Sequence, residues 1–443
     1  MTALADFFSR LLPGYLNWFF SFLDPRHIGD ALAAVTALAN GSNLFFWTFV
    51  YIVVRYQIPT PLTWLIYLIR PQAFKSPPLD QFAGAEPLVS VIIAGRNPGD
   101  HIVDCIRSAL ECDYRNLEVI YADDYSTDNS VALARQLERT GRVRVFASER
   151  HSGKQVNLNI ALMLARGEFI FQLDSDSQLE KDTLHKLLPY FQDPQVGAVC
   201  PTIHVRNYKD SLLARFQRIE YMLMFTLVPV WRAPIGAITI ISGMGGMFRA
   251  RTFSELGGYD PGLGEDTDIT LRLRKAGWRI QFALEARITT GVPVTLRHLL
   301  RQRARWTRNM VKIRLRKHRD LGTFRYGVKE ALVYYENVLN RTLIPECFFI
   351  AALSARLLHG SEGPVIIGGL YWFTTIMLVV KCLIALDVGG EPTLREFWLI
   401  FLYPLYRIPI FLTQVIQIWR EVLHIKPWHP YVPKHIWNQI PHR

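Results

Sequence analysis

Four apolar runs of strand length, each separated from the next by a helical stretch, constrain this chain more than any other feature. They are "LVSVII" (88–93), "NLEVIYAD" (116–123), "VRVFAS" (143–148) and "EFIFQLD" (168–174). The helical stretches run from Asp100 to Cys112, from Asp128 to Thr140 with Gly141 as the stop, and from Lys154 to Arg166 with Gly167 at the end. Short strands alternating with helices of about 12 residues predict an α/β fold, a mostly parallel sheet with helices on both faces. Ligands of such sheets bind beyond the carboxyl ends of the strands. Residues able to do chemistry stand there. "YADDYSTD" follows the second strand, "SERHSGK" the third and "DSDS" the fourth.

This unit is bracketed by long apolar segments. Ala31–Arg55 is long enough to cross a bilayer, which takes about 20 apolar residues, and so are Pro364–Leu386 and Phe397–Trp419. Leu339–Leu358 and Phe7–Leu23 are weaker segments, the latter of interfacial length. No small-residue cleavage site follows a short apolar core near the start, so a removed signal peptide is not expected. The expected organisation is an N-terminal membrane region (1–75), a Pro- and Ala-containing linker (76–87), a cytosolic domain (88–320), interfacial and transmembrane helices (321–420) and a basic tail (421–443). The net charge of +12 invites a nucleic-acid reading. Much of the excess, however, sits in Arg297–Arg319, directly before apolar segments, where Lys and Arg meet anionic lipid. Membrane lipid is therefore the expected partner and nucleic acid is not. The five cysteines form no C-x-x-C pair, in keeping with a reduced setting.

Several clusters carry candidate chemistry. Asp174-x-Asp176 can aim two carboxylates at one hard divalent cation shared with phosphates, and equally forms a turn. Asp123 and Asp124 close the second strand, where a carboxylate can read a base or ribose; Asp128 reads as a helix cap. Gly153-Lys154 brings backbone close to a ligand and adds a point charge for phosphate, although lysines at helix starts are commonly solvated. Ser242 and Gly243, in "ISGMGGMFRA", can line a narrow groove or simply pack tightly. Glu265 and Asp266 stand at an apparent helix start, where the dipole favours acids and where a general base would also serve. Gln302, Arg305 and Trp306 fall at i, i+3 and i+4, which puts an amide, a guanidinium and an indole on one helix face.

The order of these elements, with spans around them, resembles the membrane-integrated inverting glycosyltransferases of family 2, which include the cellulose, chitin, hyaluronan and poly-N-acetylglucosamine synthases. The resemblance covers Leu88–Asn309 and implies a GT-A fold. It further implies that Asp124 reads the uracil end of a UDP-sugar, with Lys154 near the nucleotide. By the same resemblance Asp174 and Asp176 hold Mg2+ or Mn2+, with Asp176 as the direct ligand. Asp266 matches the general base, and Gln302, Arg305 and Trp306 match the element covering the diphosphate and the acceptor sugar. Two positions depart from the family pattern. The first loop reads "IIAGRNPGD", and Tyr125 stands where glycine is common.

The implied activity is inverting transfer from a UDP-sugar to the non-reducing end of a polysaccharide, coupled to its export by an integral membrane protein. The alternative is transfer of a single sugar to a lipid, since ceramide glucosyltransferases share D-x-D and Q-x-x-R-W. Arg407, in an apolar segment, is expected to face a polysaccharide conduit, because charges inside membrane segments turn toward protein or water. Trp428, His429 and Trp437 of the tail read as an interfacial anchor or a gating segment. Accessory proteins leave no signal in the sequence.

Overall fold

The computed structural model describes residues 58–77, 86–262, 264–339, 363–389 and 398–423. Eight strands form one sheet: β1 Val89–Gly95, β2 Leu117–Asp123, β3 Val143–Ala147, β4 Phe169–Asp174, β5 Ser177–Leu179, β6 Val196–Val205, β7 Gly245–Arg249 and β8 Arg279–Thr290. Their order is β3-β2-β1-β4-β7-β6-β8-β5. The helices are α1 Pro59–Ile69, α2 His101–Leu110, α3 Ser130–Leu137, α4 Lys154–Leu164, α5 Thr183–Leu187, α6 Leu212–Tyr221, α7 Val228–Arg232, α8 Ala250–Leu256, α9 Glu265–Lys275, α10 Leu296–Val311, α11 Val328–Val338, α12 Gly363–Gly389 and α13 Leu399–Val422.

The four expected strands are β1 to β4, and they pair in parallel as β3-β2-β1-β4. Beyond β4 the sheet changes character. β7 runs antiparallel to both β4 and β6, whereas β6 and β8 are parallel to each other. This half was not legible as strand–helix alternation, because β7 belongs to a glycine-rich run rather than an apolar one.

The continuous apolar runs follow from burial on both faces of the sheet. Val91 and Ile93 of β1 enter one core with Ile102 and Ile106 of α2; Ile92 and Ala94 enter the other with Leu158 and Ala161 of α4. The second core continues into Cys382 and Ala385 of α12 and into Ile400, Tyr403, Tyr406 and Ile410 of α13. The C-terminal helices thus share apolar packing with the sheet unit. The four described cysteines are free and buried.

Pro364–Leu386 lies within α12, and Phe397–Trp419 overlaps α13. Among the described residues, α13 is long and apolar enough to cross a membrane. Its sides differ. Tyr403, Tyr406 and Ile410 face protein, while Phe401, Leu405, Ile408, Leu412, Ile416 and Trp419 are exposed. Ala31–Arg55, Phe7–Leu23, nearly all of Leu339–Leu358, and Trp428, His429 and Trp437 lie outside the described residues.

Candidate active site

The site is built at the carboxyl ends of β2 and β4 and at the starts of α4 and α9. Asp123 ends β2 with its carboxylate buried. It accepts from the Tyr121 hydroxyl at 2.8 Å, the Ser126 N–H at 2.8 Å and the Ser126 hydroxyl. Those bonds tie its own turn together. Asp124 reaches the other way. Its Oδ1 accepts from the N–H groups of Ser152 (2.8 Å) and Gly153 (3.0 Å), and its Oδ2 lies 2.7 Å from His151 Nδ1. The loop before α4 is thereby drawn over the end of β2, and Gly153 permits this with φ of +96°. Tyr125 adopts φ of +59°, a left-handed conformation that glycine takes without steric cost and a bulky residue rarely does.

Lys154 opens α4 and joins two other elements. Its Nζ lies 2.5 Å from Asp174 Oδ1 at the end of β4 and 2.8 Å from Glu265 Oε1 at the start of α9. Gly243 lies beside this junction. A Cβ there would stand 3.4 Å from both Glu265 Oε1 and Lys154 Nζ. The Gly243 carbonyl accepts from Gln172 Nε2 at 3.1 Å, and Ser242 Oγ accepts from the Met244 N–H at 3.3 Å. Both residues therefore shape the wall of the junction through backbone and turn bonds.

Gly264 sets the start of α9. Its φ is +76°, which strains any other residue, and a Cβ would lie 2.5 Å from Ile313 Cδ1, so that side chain would have to move. Held there, α9 presents Glu265 and Asp266 in its first turn, where the helix dipole favours carboxylates. Asp266 Oδ1 accepts from the Thr267 N–H at 2.6 Å, and Glu265 Oε2 accepts from Gln155 Nε2 at 3.3 Å.

The electrostatics separate these groups. Burial alone would discharge Lys154, but Asp174 and Glu265 outweigh it and hold the ammonium well above its usual range. Burial would raise Glu265, and Lys154 overcomes that and lowers it. Burial, followed by the nearby Glu265 charge, raises the Asp266 carboxyl. Asp174 is pushed up to about 6 by burial; Lys154 opposes the shift and Asp176 adds to it. The Asp176 side chain is exposed.

The donor set fits a divalent cation. Asp174 and Asp176 are hard oxygen donors, and the Lys154 ammonium already sits on Asp174 as a cation would. Two carboxylates are too few to enclose a metal, in keeping with the absence of any group of three such ligands among the described residues. Mg2+ commonly binds through one or two carboxylates plus substrate phosphates.

Gln302, Arg305 and Trp306 lie on α10, on one face as their spacing predicts. The positive charge of Arg305 acts on both Glu265 and Asp266. The structure also brings in Arg303, which the sequence reading passed over. It is 3% exposed, donates to Gln302 Oε1 at 2.8 Å, and sits 4.2 Å from the centroid of the Trp306 ring. An arginine among arginines carried no signal in the sequence. His151 was missed as well, having no partner nearby in the chain.

The basic stretch Arg297–Arg319, expected to face lipid, is largely committed to protein. Arg303 pairs with Glu220, Lys317 with Asp260 and Asp268, and Arg316 donates to the Glu421 carbonyl. Arg314 donates to Asn337 Oδ1 at 2.7 Å. Arg297, Arg301 and Arg319 are exposed.

A mixed sheet of this order, with acidic and lysine side chains converging at its strand ends, is a fold of the GT-A type. The family described as "Glycosyltransferase like family 2" matches residues 86–309, about half of the sequence, and the chain belongs to that family. It is 28% identical to the poly-beta-1,6-N-acetyl-D-glucosamine synthase of Staphylococcus aureus strain MSSA476 over 230 residues, covering 52% of this chain and 56% of that one. The synthase of Staphylococcus epidermidis is 27% identical over the same shares. The chain thus aligns with little more than half the length of these curated relatives. Among solved structures it is similar to the mannosyltransferase PcManGT of Pyrobaculum calidifontis, determined with GDP-Man and Mn2+. That match has a TM-score of 0.56 and 20% identity, over 88% of this chain and 99% of the other. At that identity the likeness concerns the fold.

Proposed function

We propose that this protein transfers a sugar from a UDP-sugar to the non-reducing end of a growing polysaccharide, with inversion, and that its apolar helices pass the product through a membrane. The observation that carries the reading is Lys154. Its ammonium joins Asp174 of the D-x-D element to Glu265 beside Asp266, with Arg305 acting on the same carboxylates from α10. Four sequence-distant elements converge on one point.

Each residue then has a task. Asp124 orders the loop over the end of β2, where the base would rest, and Asp123 holds the adjoining turn. Asp176 and Asp174 would hold Mg2+ or Mn2+, which would neutralise charge on the leaving diphosphate. Lys154 and Arg305 add fixed positive charge on the protein side of that leaving group. Ser242 and Gly243 leave room for the sugar, and Gln302 and Trp306 orient the acceptor, the indole offering a flat apolar face. The acceptor hydroxyl attacks the anomeric carbon as the bond to UDP breaks, and Asp266 takes the hydroxyl proton. Its raised pKa makes it a better proton acceptor than an ordinary aspartate, provided it is ionised.

The reading is tested by offering the purified protein a panel of UDP- and GDP-sugars with Mg2+ or Mn2+, then sizing the product. Release of UDP with formation of a long polymer is expected. A single-sugar lipid product would replace the polymer with the alternative acceptor, which the exposed apolar face of α13 beside α10 favours. No release from any donor would reject the transferase reading.

A further inference from the structure

One buried acid lies outside the reaction cluster and touches three other side chains. Glu220, at the end of α6, is 7% exposed. Its Oε2 accepts from Arg303 Nη2 of α10 at 2.6 Å and from the Tyr406 hydroxyl of α13 at 2.7 Å. Its Oε1 accepts from Arg407 Nη1 of α13 at 2.6 Å. A lone carboxylate buried this deeply would be costly, and a pair of arginines makes the charge tenable. The pairing gives the Arg407 charge a partner in the sheet unit, while its side chain stays 38% exposed.

The geometry runs on from Arg303 to the acceptor side. While Nη2 is held by Glu220, Nη1 donates to Gln302 Oε1 at 2.8 Å, and the guanidinium covers the Trp306 ring. One planar group thus orients two of the three residues in the Q-x-x-R-W element, a task suited to the rigid fork of arginine. α13 is fastened at two further places. The Tyr406 ring stacks on Phe216 of α6 with centroids 5.0 Å apart and planes 10° apart, and the Glu421 carbonyl accepts from Arg316 beyond α10.

We infer that Glu220 and Arg303 are positioning residues that fix Gln302 and Trp306, and that Arg407 and Tyr406 make this geometry depend on how the apolar helix α13 is seated. The inference deepens the proposed function and rests on Gln302 and Trp306 being acceptor contacts. A misplaced acceptor lowers transfer steeply, because displacement by about 1 Å costs roughly a hundredfold. Attack of water on the donor needs no acceptor platform.

The test compares two rates in the full-length protein. One is nucleotide release without acceptor; the other is transfer to short oligosaccharides cut from the wild-type polymer. Arg407→Met is expected to lower transfer kcat/KM roughly ten- to a hundredfold, chiefly through acceptor KM, with donor hydrolysis and donor KM within about twofold of wild type. Arg407→Lys should recover much of the loss. Tyr406→Phe, which removes one hydroxyl, should show a smaller loss of the same kind. Parallel loss of both rates in Arg407→Met and in Tyr406→Phe, or unchanged transfer in both, overturns the inference. If the wild type makes no polymer, the acceptor reading falls and this inference falls with it, a result distinct from a wild type that polymerises and variants that match it.

Discussion

The proposed donor end and the proposed acceptor end of this molecule use the same residue types in opposite proportion. At the proposed donor end the carboxylates of Asp174, Glu265 and Asp266 gather around Lys154 and Arg305, and burial drives Asp174 up to about 6. At the acceptor end a single carboxylate, Glu220, faces Arg303 and Arg407, which overcome burial and lower its pKa. A surplus of acid at open strand ends is costly to assemble unless a cation arrives. A carboxylate shut between two guanidinium groups is satisfied already. Unmet acid charge marks the place proposed to take a cation-bearing ligand, and an acid already met by two guanidinium groups marks the scaffold proposed to aim it.

The comparison breaks most visibly at Asp266. Asp266→Asn removes the proposed base and should lower transfer by about 10²–10⁴, measured as kcat with saturating donor. Glu220→Ala strikes the scaffold instead. It leaves Arg303 buried without its acid, so a loss of about 3–5 kcal/mol is expected in denaturant unfolding. Gly264→Ala should cost about 1–2 kcal/mol, or more where Ile313 cannot shift, since Gly264 has positive φ and no room for a Cβ; thermal unfolding reads this directly. The pH dependence of transfer gives the smallest effect and the sharpest sign. Asp266 must be ionised to act, and its pKa is raised by burial and then by Glu265. Activity should therefore rise with pH through a value above that of an ordinary aspartate. In Glu265→Gln that acid limb should move to lower pH, because one raising charge is gone. An unmoved limb would detach Asp266 from the pH profile.

Much of the proposed donor end was legible in the chain, because strand-length apolar runs end in the residues proposed to do the chemistry. Asp124, Lys154 and Asp174 stand where the parallel-sheet rule puts ligand contacts, and the i, i+3, i+4 spacing placed Gln302, Arg305 and Trp306 on one face of α10. The acceptor scaffold was not legible. Glu220 lies in "FQRIEYML", which reads as an ordinary amphipathic helix, and its partners Arg303 and Arg407 are 83 and 187 residues away. The Glu220–Arg303 pair leaves no local pattern, since each of these two residues alone looks like a surface residue. Antiparallel β7 was hidden for a related reason. Its glycines pack beneath Ile288 and Ile241, and close packing of backbone has no apolar signature. Arg407 drew attention as a charge in an apolar helix, but only the fold shows that its partner is a carboxylate of the sheet unit.

Donor binding and turnover should separate at Asp266. Calorimetric titration of the UDP-sugar that the wild type turns over, with Mn2+, into wild-type, Asp266→Asn and Asp176→Asn proteins would make that separation. Asp266→Asn is predicted to bind donor as the wild type does while releasing almost no UDP, and Asp176→Asn to lose the Mn2+-dependent part of the affinity. An Asp266→Asn protein that turns over near the wild-type rate would contradict the assignment of the base and, with it, the chemistry placed at the start of α9.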